Sequence, residues 1–164
     1  MSTDVTVRPA TVVDIPQLVE LNSLVEEAHI AAEQDVFKPT RADEVAAWFT
    51  DELEAGSSRA WVAACEAQVV GYVAALAVAR PEHLFCHART WWEVDQLAVR
   101  PEWRCRGVAS ALLAAVATEA GHAGVNQLQL STWGFNTGAL EAWRHLGFVP
   151  QTTRFVIDLR RLSG

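Results

Sequence analysis

Cysteine is scarce in this chain, and its number is odd: Cys65, Cys86 and Cys105 stand far apart. They form neither a disulfide ladder nor a zinc-ligand spacing, so reduced thiols are expected. The five histidines show no ligand spacing either, and no metal is expected. No charge-free apolar run approaches the roughly 20 residues that cross a bilayer, which excludes a membrane-spanning helix. The opening Met-Ser-Thr-Asp lacks a basic segment followed by an apolar one, arguing against a secretory signal and for the cytoplasm. Positive charge is also short, with 13 Lys and Arg against 20 Asp and Glu and a net charge of −7. Nucleic acid is therefore a poor partner. Internal repeats, low-complexity tracts and linkers are absent.

Apolar residues are plentiful. At 164 residues and 51% hydrophobic content, the composition predicts one globular domain with a sizeable core. Charge is unevenly spread: residues 1–60 hold 12 acids and 4 bases, residues 61–164 hold 8 and 9. An acidic front half favours a cationic substrate such as an amine. The same charge also serves as a solubilising surface on two amphipathic helices.

Residues 5–8 alternate like a short strand that stops at Pro9. Asp14 with Gln17 has the spacing of a capping box, opening a helix to about His29 with Leu18, Leu21 and Val25 on one face. A second helix over 40–53 would bury Val45, Trp48, Phe49 and Leu53, and Gly56-Ser57-Ser58 breaks it. Residues 60–65 and 69–78 read as an antiparallel hairpin around Glu66-Ala67-Gln68, with Gly71 marking a bulge or a close contact. A loop over 80–89 leads to a strand over 90–99, on which Trp91 and Trp92 face opposite ways. A helix over 108–120 would bury Ala109, Leu112, Leu113, Val116 and Ala117. A strand over 125–133, a helix over 138–146 stopped by Gly147, and a strand over 152–159 complete the chain. The order β-α-α-β-β-β-α-β-α-β predicts a mixed α/β domain.

The densest information lies between Asp95 and Leu112. A strand-like Gln96-Leu97-Ala98-Val99 passes through Arg100-Pro101-Glu102-Trp103 into Arg104-Cys105-Arg106-Gly107-Val108-Ala109 and a helix. A helix N-terminus reached through a tight loop leaves backbone N–H groups without partners. Their dipoles, with Arg100, Arg104 and Arg106 as a local positive patch, suit a bound diphosphate. Gly107 and Ala109 carry little side chain, so a ligand can approach the backbone.

Arg104-x-x-Gly107-x-Ala109 resembles the Arg/Gln-x-x-Gly-x-Gly/Ala signature of the GNAT acyltransferase superfamily, and Leu97-Ala98-Val99-x-Pro101 resembles the end of that family's fourth strand. Asn136-x-x-Ala139-x-x-x-Trp143-x-x-x-Gly147-Phe148 follows the family's second hallmark, with Trp143 in the usual tyrosine position. The resemblance implies a single GNAT-like domain over 1–164, a central mixed and mostly antiparallel sheet flanked by helices. It also implies transfer of an acetyl or other short acyl group from acetyl-CoA to a primary amine, by direct attack on the thioester.

Within that resemblance, amides from Cys105, Arg106, Gly107, Val108, Ala109 and Ser110 would hold the diphosphate. The backbone of Leu97, Ala98 and Val99 would pair with the pantetheine arm. Asn136 either contacts that arm or caps the following helix; Ala139 and Trp143 complete the second signature. An alkylamine of pKa near ~10 must lose a proton before it attacks. Glu93 and Asp95 are the acids available, directly or through a water, and they share a face unless a bulge intervenes. Glu93 stands four residues before Leu97, where histone-acetylating members place a glutamate base. Trp143 cannot readily serve as the family's acid, because an indole N–H only donates hydrogen bonds. Tyr72, the one tyrosine, reads as packing. The acceptor is expected to be a small cationic amine or a peptide, and homodimers are common in the family. The other class of function is a catalytically idle acyl-CoA-binding or sensor domain.

Overall fold

The computed structural model describes residues 4–56 and 59–162. The elements in chain order are β1 (Thr6–Pro9), α1 (Ile15–Ala32), α2 (Ala42–Ala55), β2 (Arg59–Cys65), β3 (Gln68–Arg80) and β4 (Arg89–Val99), then α3 (Val108–His122), β5 (Leu128–Leu130) and α4 (Thr137–His145). The chain divides into two compact units, Met1–Ser131 and Thr132–Gly164. The first holds a sheet ordered β1-β2-β3-β4-β5, antiparallel except for the parallel β4–β5 pair. No helix among the described residues is long and apolar enough to cross a membrane.

Cross-strand partners share a face, so the register assigns the sheet's two sides. Val62, Tyr72 and Ala98 pair in a row and pack with Ile15, Leu18, Leu21 and Phe49 of α1 and α2. Ala63, Gly71 and Val99 form the neighbouring row on the opposite side, towards α3. Gly71 is there because a Cβ would lie 2.9 Å from the Ala98 carbonyl and 3.1 Å from Val108 Cγ1. The bulge reading of this position holds as well: Val70 is the extra residue between the pairs Ala63–Gly71 and Ala64–Val69.

Several details depart from the sequence expectations. Asp14 is not a capping partner of Gln17. It accepts two hydrogen bonds from Arg8, at 2.7 and 2.8 Å, and one from the Thr11 amide at 2.8 Å. Gln17 instead accepts from the Val69 amide, tying α1 to the β2–β3 turn. Trp48 is 39% exposed while Phe49 takes the core position, because α2 packs along the line of Val45, Phe49 and Leu53. The buried line of α3 is Val108, Leu112, Val116 and Ala120 with Leu113; Ala117 faces solvent. Of the strand over 125–133 only Leu128–Leu130 forms, and the strand over 152–159 does not form. An alternating apolar segment becomes a strand only when an edge accepts its backbone. Among the described residues no ladder partner stands beside Phe155, Val156 and Ile157, which are exposed.

The Arg8–Asp14 pair gives a pH-dependent stability. Asp14 is 4% exposed, and the Arg8 hydrogen bonds hold its carboxyl below the usual aspartate range. Its contribution is complete above the unfolded aspartate value and disappears as pH falls through the depressed folded value. Asp14→Asn is expected to cost about 2 kcal/mol at neutral pH, as for hydrogen bonds to a charged group. In urea melts the gap from wild type should close at strongly acid pH; a constant gap would reject the pair as the cause.

Candidate functional site

The β4–β5 ladder is short. Trp92, Glu93 and Val94 pair with Leu128, Gln129 and Leu130, and no later residue of β4 continues that ladder. Leu97, Ala98 and Val99 therefore keep their β3 partners on one side and an edge free of β5 on the other. Such an edge can take a ligand's amides as a strand would.

β4 ends at a 3-10 turn, Pro101–Trp103, and the chain then reverses through two left-handed residues, Cys105 at φ 58° and Gly107 at φ 79°. Gly107 is the N-cap of α3. The helical ladder begins with the Ala111 amide on the Gly107 carbonyl, so the amides of Val108, Ala109 and Ser110 have no acceptor within the helix. A Cβ on Gly107 would meet nothing within 4 Å; the loop's outer face is open. This donor set fits a diphosphate, since it combines unpaired amides with the positive end of a helix dipole.

The arginines divide the work. Arg104 Nε donates to the Val99 carbonyl at 3.2 Å and closes the loop onto the end of β4. The Arg106 guanidinium lies 5.4 Å from the centre of the Trp103 ring, and its residue is exposed. Arg100 leaves the expected patch altogether. Its Nε donates to the Val69 carbonyl and its guanidinium pairs with Glu20, both at 2.8 Å. Cys105 is an exposed free thiol.

A bulge does intervene between the two carboxylates. Ala74 pairs with Gln96 and Ala75 with Val94, so Asp95 has no β3 partner. The extra residue inverts the alternation of the strand. Leu97 and Val99 face α3, whereas Glu93, opposite Leu76, lies on the side of α1 and α2. Glu93 Oε2 accepts from Trp91 Nε1 at 2.8 Å. Trp91 is buried beneath the guanidinium groups of Arg80 and Arg89, at 5.5 and 4.9 Å. Asp95 keeps solvent contact, yet partial burial raises its pKa above the usual aspartate range, and the charges of Glu52 on α2 and of Glu93 reinforce this.

Beside the bulge is a polar cluster that sequence reading missed. Tyr72 OH donates to Gln96 Oε1 at 2.7 Å, and Asn22 Nδ2 of α1 donates to both, at 3.3 and 3.4 Å. Tyr72 is 1% exposed, and burial pushes its hydroxyl up to about 12. It is more than packing. Nothing in the sequence signals a contact between positions 22, 72 and 96.

Asn136, Ala139 and Trp143 belong to the second unit. Asn136 is the N-cap of α4, and its side chain accepts from the Ala139 amide at 3.1 Å, which is the capping role. Trp143 Nε1 donates to Thr132 Oγ1 at 2.6 Å, and its ring meets Phe148 edge to face. A cavity of about 380 Å³ bordered by Arg59, Trp92, Ala123 and Val125 includes none of residues 93–110 in its wall. Its one cation, Arg59, is already paired with Glu119. Among the described residues no group of three His, Cys, Asp or Glu could hold a metal ion.

Known proteins resemble this chain in sequence and in fold. The family model for the acetyltransferase (GNAT) family matches residues 20–148. N-acetyltransferase 8F1 of Rattus norvegicus is 34% identical over 104 residues, 63% of this chain and 45% of that protein. The chain thus spans less than half the length of the curated relatives it matches. Among solved structures, a tetramutant of the BH1408 protein from Bacillus halodurans superposes with a TM-score of 0.87 at 21% identity, over 93% of this chain and 99% of that one. The aminoglycoside N-acetyltransferase AAC(6')-Iy in complex with CoA gives 0.75 at 20% identity, over 96% and 95%. The mixed, mostly antiparallel sheet flanked by helices is the fold of these neighbours. Family match and architecture agree, and the chain belongs to the acetyltransferase (GNAT) family.

Proposed function

We propose that this chain is an N-acyltransferase that moves an acetyl or other short acyl group from coenzyme A to a primary amine. The observation that supports this reading is that one strand, β4, carries the groups that both halves of the chemistry would need. Its free edge at Leu97, Ala98 and Val99 runs into the amide-rich loop of 104–110. Its bulge leaves Glu93 on the side of α1 and α2, with Asp95 close enough to feel the charges of Glu52 and Glu93.

In this reading the amides of 105–110 hold the diphosphate, and the edge of 97–99 aligns the pantetheine arm. The thioester supplies an activated carbonyl, so positioning and proton management are the protein's main tasks. Glu93 or Asp95, directly or through a water, takes the ammonium proton. The amine nitrogen then forms its bond to the carbonyl carbon, the C–S bond breaks, and the departing thiolate takes up, directly or through water, the second proton that the new amide nitrogen sheds. A thiolate of pKa near ~8.5 departs without a strong acid, so Trp143 in the tyrosine position is tolerated. A small cationic amine suits the carboxylates Glu52, Glu93 and Asp95, with peptide N-termini and lysines as further acceptors. The aminoglycoside-acetylating neighbour puts aminoglycosides on the same list. Residues 1–164 are read as one acyltransferase domain.

One observation favours the idle acyl-CoA-binding or sensor alternative: the Trp143 indole N–H is already spent on Thr132 Oγ1. Thiol release from acetyl-CoA, measured against polyamines, aminoglycosides, amino acids and peptides, separates the two. Acceptor-dependent release with an acylated product by mass is the expected result. Calorimetric acetyl-CoA binding without release to any acceptor would favour the sensor.

A further inference from the structure

A bulge's place in a strand is a specified feature, and sliding the extra residue by one position would re-pair the strand around it. In β4 that slide would carry Asp95 off its present site, so something must hold the register on its far side. The first residue after the bulge is Gln96, opposite Ala74 and diagonal to Tyr72 on the same face. Its Oε1 receives the Tyr72 hydroxyl at 2.7 Å and Asn22 Nδ2 at 3.4 Å. Both donors are anchored elsewhere, Tyr72 in β3 with its ring edge-on to Phe49, and Asn22 in α1. The tie therefore runs from the strand through the neighbouring strand into the helix layer.

We propose that Asn22, Tyr72 and Gln96 are positioning residues that lock the β4 bulge and so hold the Asp95 carboxylate in place. A slip that made Gln96 the unpaired residue would pull it from both donors and leave the buried Tyr72 hydroxyl without its acceptor, a costly arrangement. None of the three touches the reacting atoms in this scheme; they act through Asp95. The inference rests on the acyltransferase reading only for its consequence in catalysis, since the lock itself is a property of the strand.

The test is a carboxylate NMR titration of Asp95 in wild type, Tyr72→Phe, Gln96→Met and Val62→Ala. The groups facing Asp95 are Glu52 from α2, Glu93 from its own strand and Tyr72 from β3; Asn22 of α1 is neutral. Cutting the tie from either end should let the bulge relax into solvent and lower the Asp95 midpoint by roughly half a unit or more. Val62→Ala removes core volume from the same cluster without touching the tie, and should leave the midpoint where it is. An unchanged midpoint in the two network variants, or an equal shift in Val62→Ala, would overturn the lock. Tyr72→Phe keeps the ring and Gln96→Met keeps the length, so a folded variant is available from each end. The titration needs no acceptor, so an absence of acyl transfer would count against the proposed function and leave this result standing.

Discussion

Gly107→Asp should abolish coenzyme A binding in a protein that still folds. A Cβ at this position meets nothing within 4 Å, so the new side chain displaces no protein atom. It does occupy the open face of the loop at φ 79°. Asp and Asn are the non-glycine residues that tolerate this region best, at a cost of about 1–2 kcal/mol. The large effect is electrostatic: a carboxylate about 4 Å from a diphosphate charge is repelled by about 4 kcal/mol at an effective dielectric near 20. Affinity should fall on the order of 10³-fold, against a much smaller loss for Gly107→Asn, which has the same shape without the charge. Calorimetry with coenzyme A reads the difference. Equal affinities in wild type and a folded Gly107→Asp would remove the loop from the binding site.

The second large effect concerns the carboxylates. Replacing whichever of them is the base should lower the acyl-transfer rate by about 10²-fold or more at neutral pH, with acetyl-CoA affinity unchanged. The acid limb of kcat/KM identifies it. A base must be ionised, so activity rises with pH through its pKa. Asp95 titrates above the usual aspartate range because of partial burial, then the charges of Glu52 and Glu93. If Asp95 is the base, Glu93→Gln removes one of those charges and moves the limb to lower pH while preserving turnover; Asp95→Asn abolishes the limb. If Glu93 is the base, Glu93→Gln is the variant that abolishes activity. Full activity in both variants would mean that neither takes the proton.

Much of the fold follows from local sequence. The strand-loop-helix at 95–112, the β2–β3 hairpin and the helix ending at Gly147 are set by glycine placement, alternation and helical period, which act over a few residues. The turn through Gly107 into α3 was readable for the same reason. The failures were all matters of partnership. Thr152 to Leu159 has strand chemistry, but its residues pair with no strand among the described residues. Arg100 looked like one of three anion-binding arginines until Glu20 and the Val69 carbonyl claimed it. Asp14 had capping spacing, yet Arg8 from the preceding strand holds it.

By itself, then, the sequence determined the order of the elements up to α4 and the glycine-bearing turn into α3, and it named two candidate acids on β4. Each depends on residues close together along the chain. Only the tertiary structure decided which face those acids occupy. One extra residue in β4 sends Glu93 to the α1 and α2 side and Leu97 to the α3 side, where regular alternation would put both together. Whether a strand bulges depends on its neighbour's register and on the Tyr72 and Asn22 donors that meet Gln96 across 24 and 74 residues of chain. No local pattern encodes a contact at that separation.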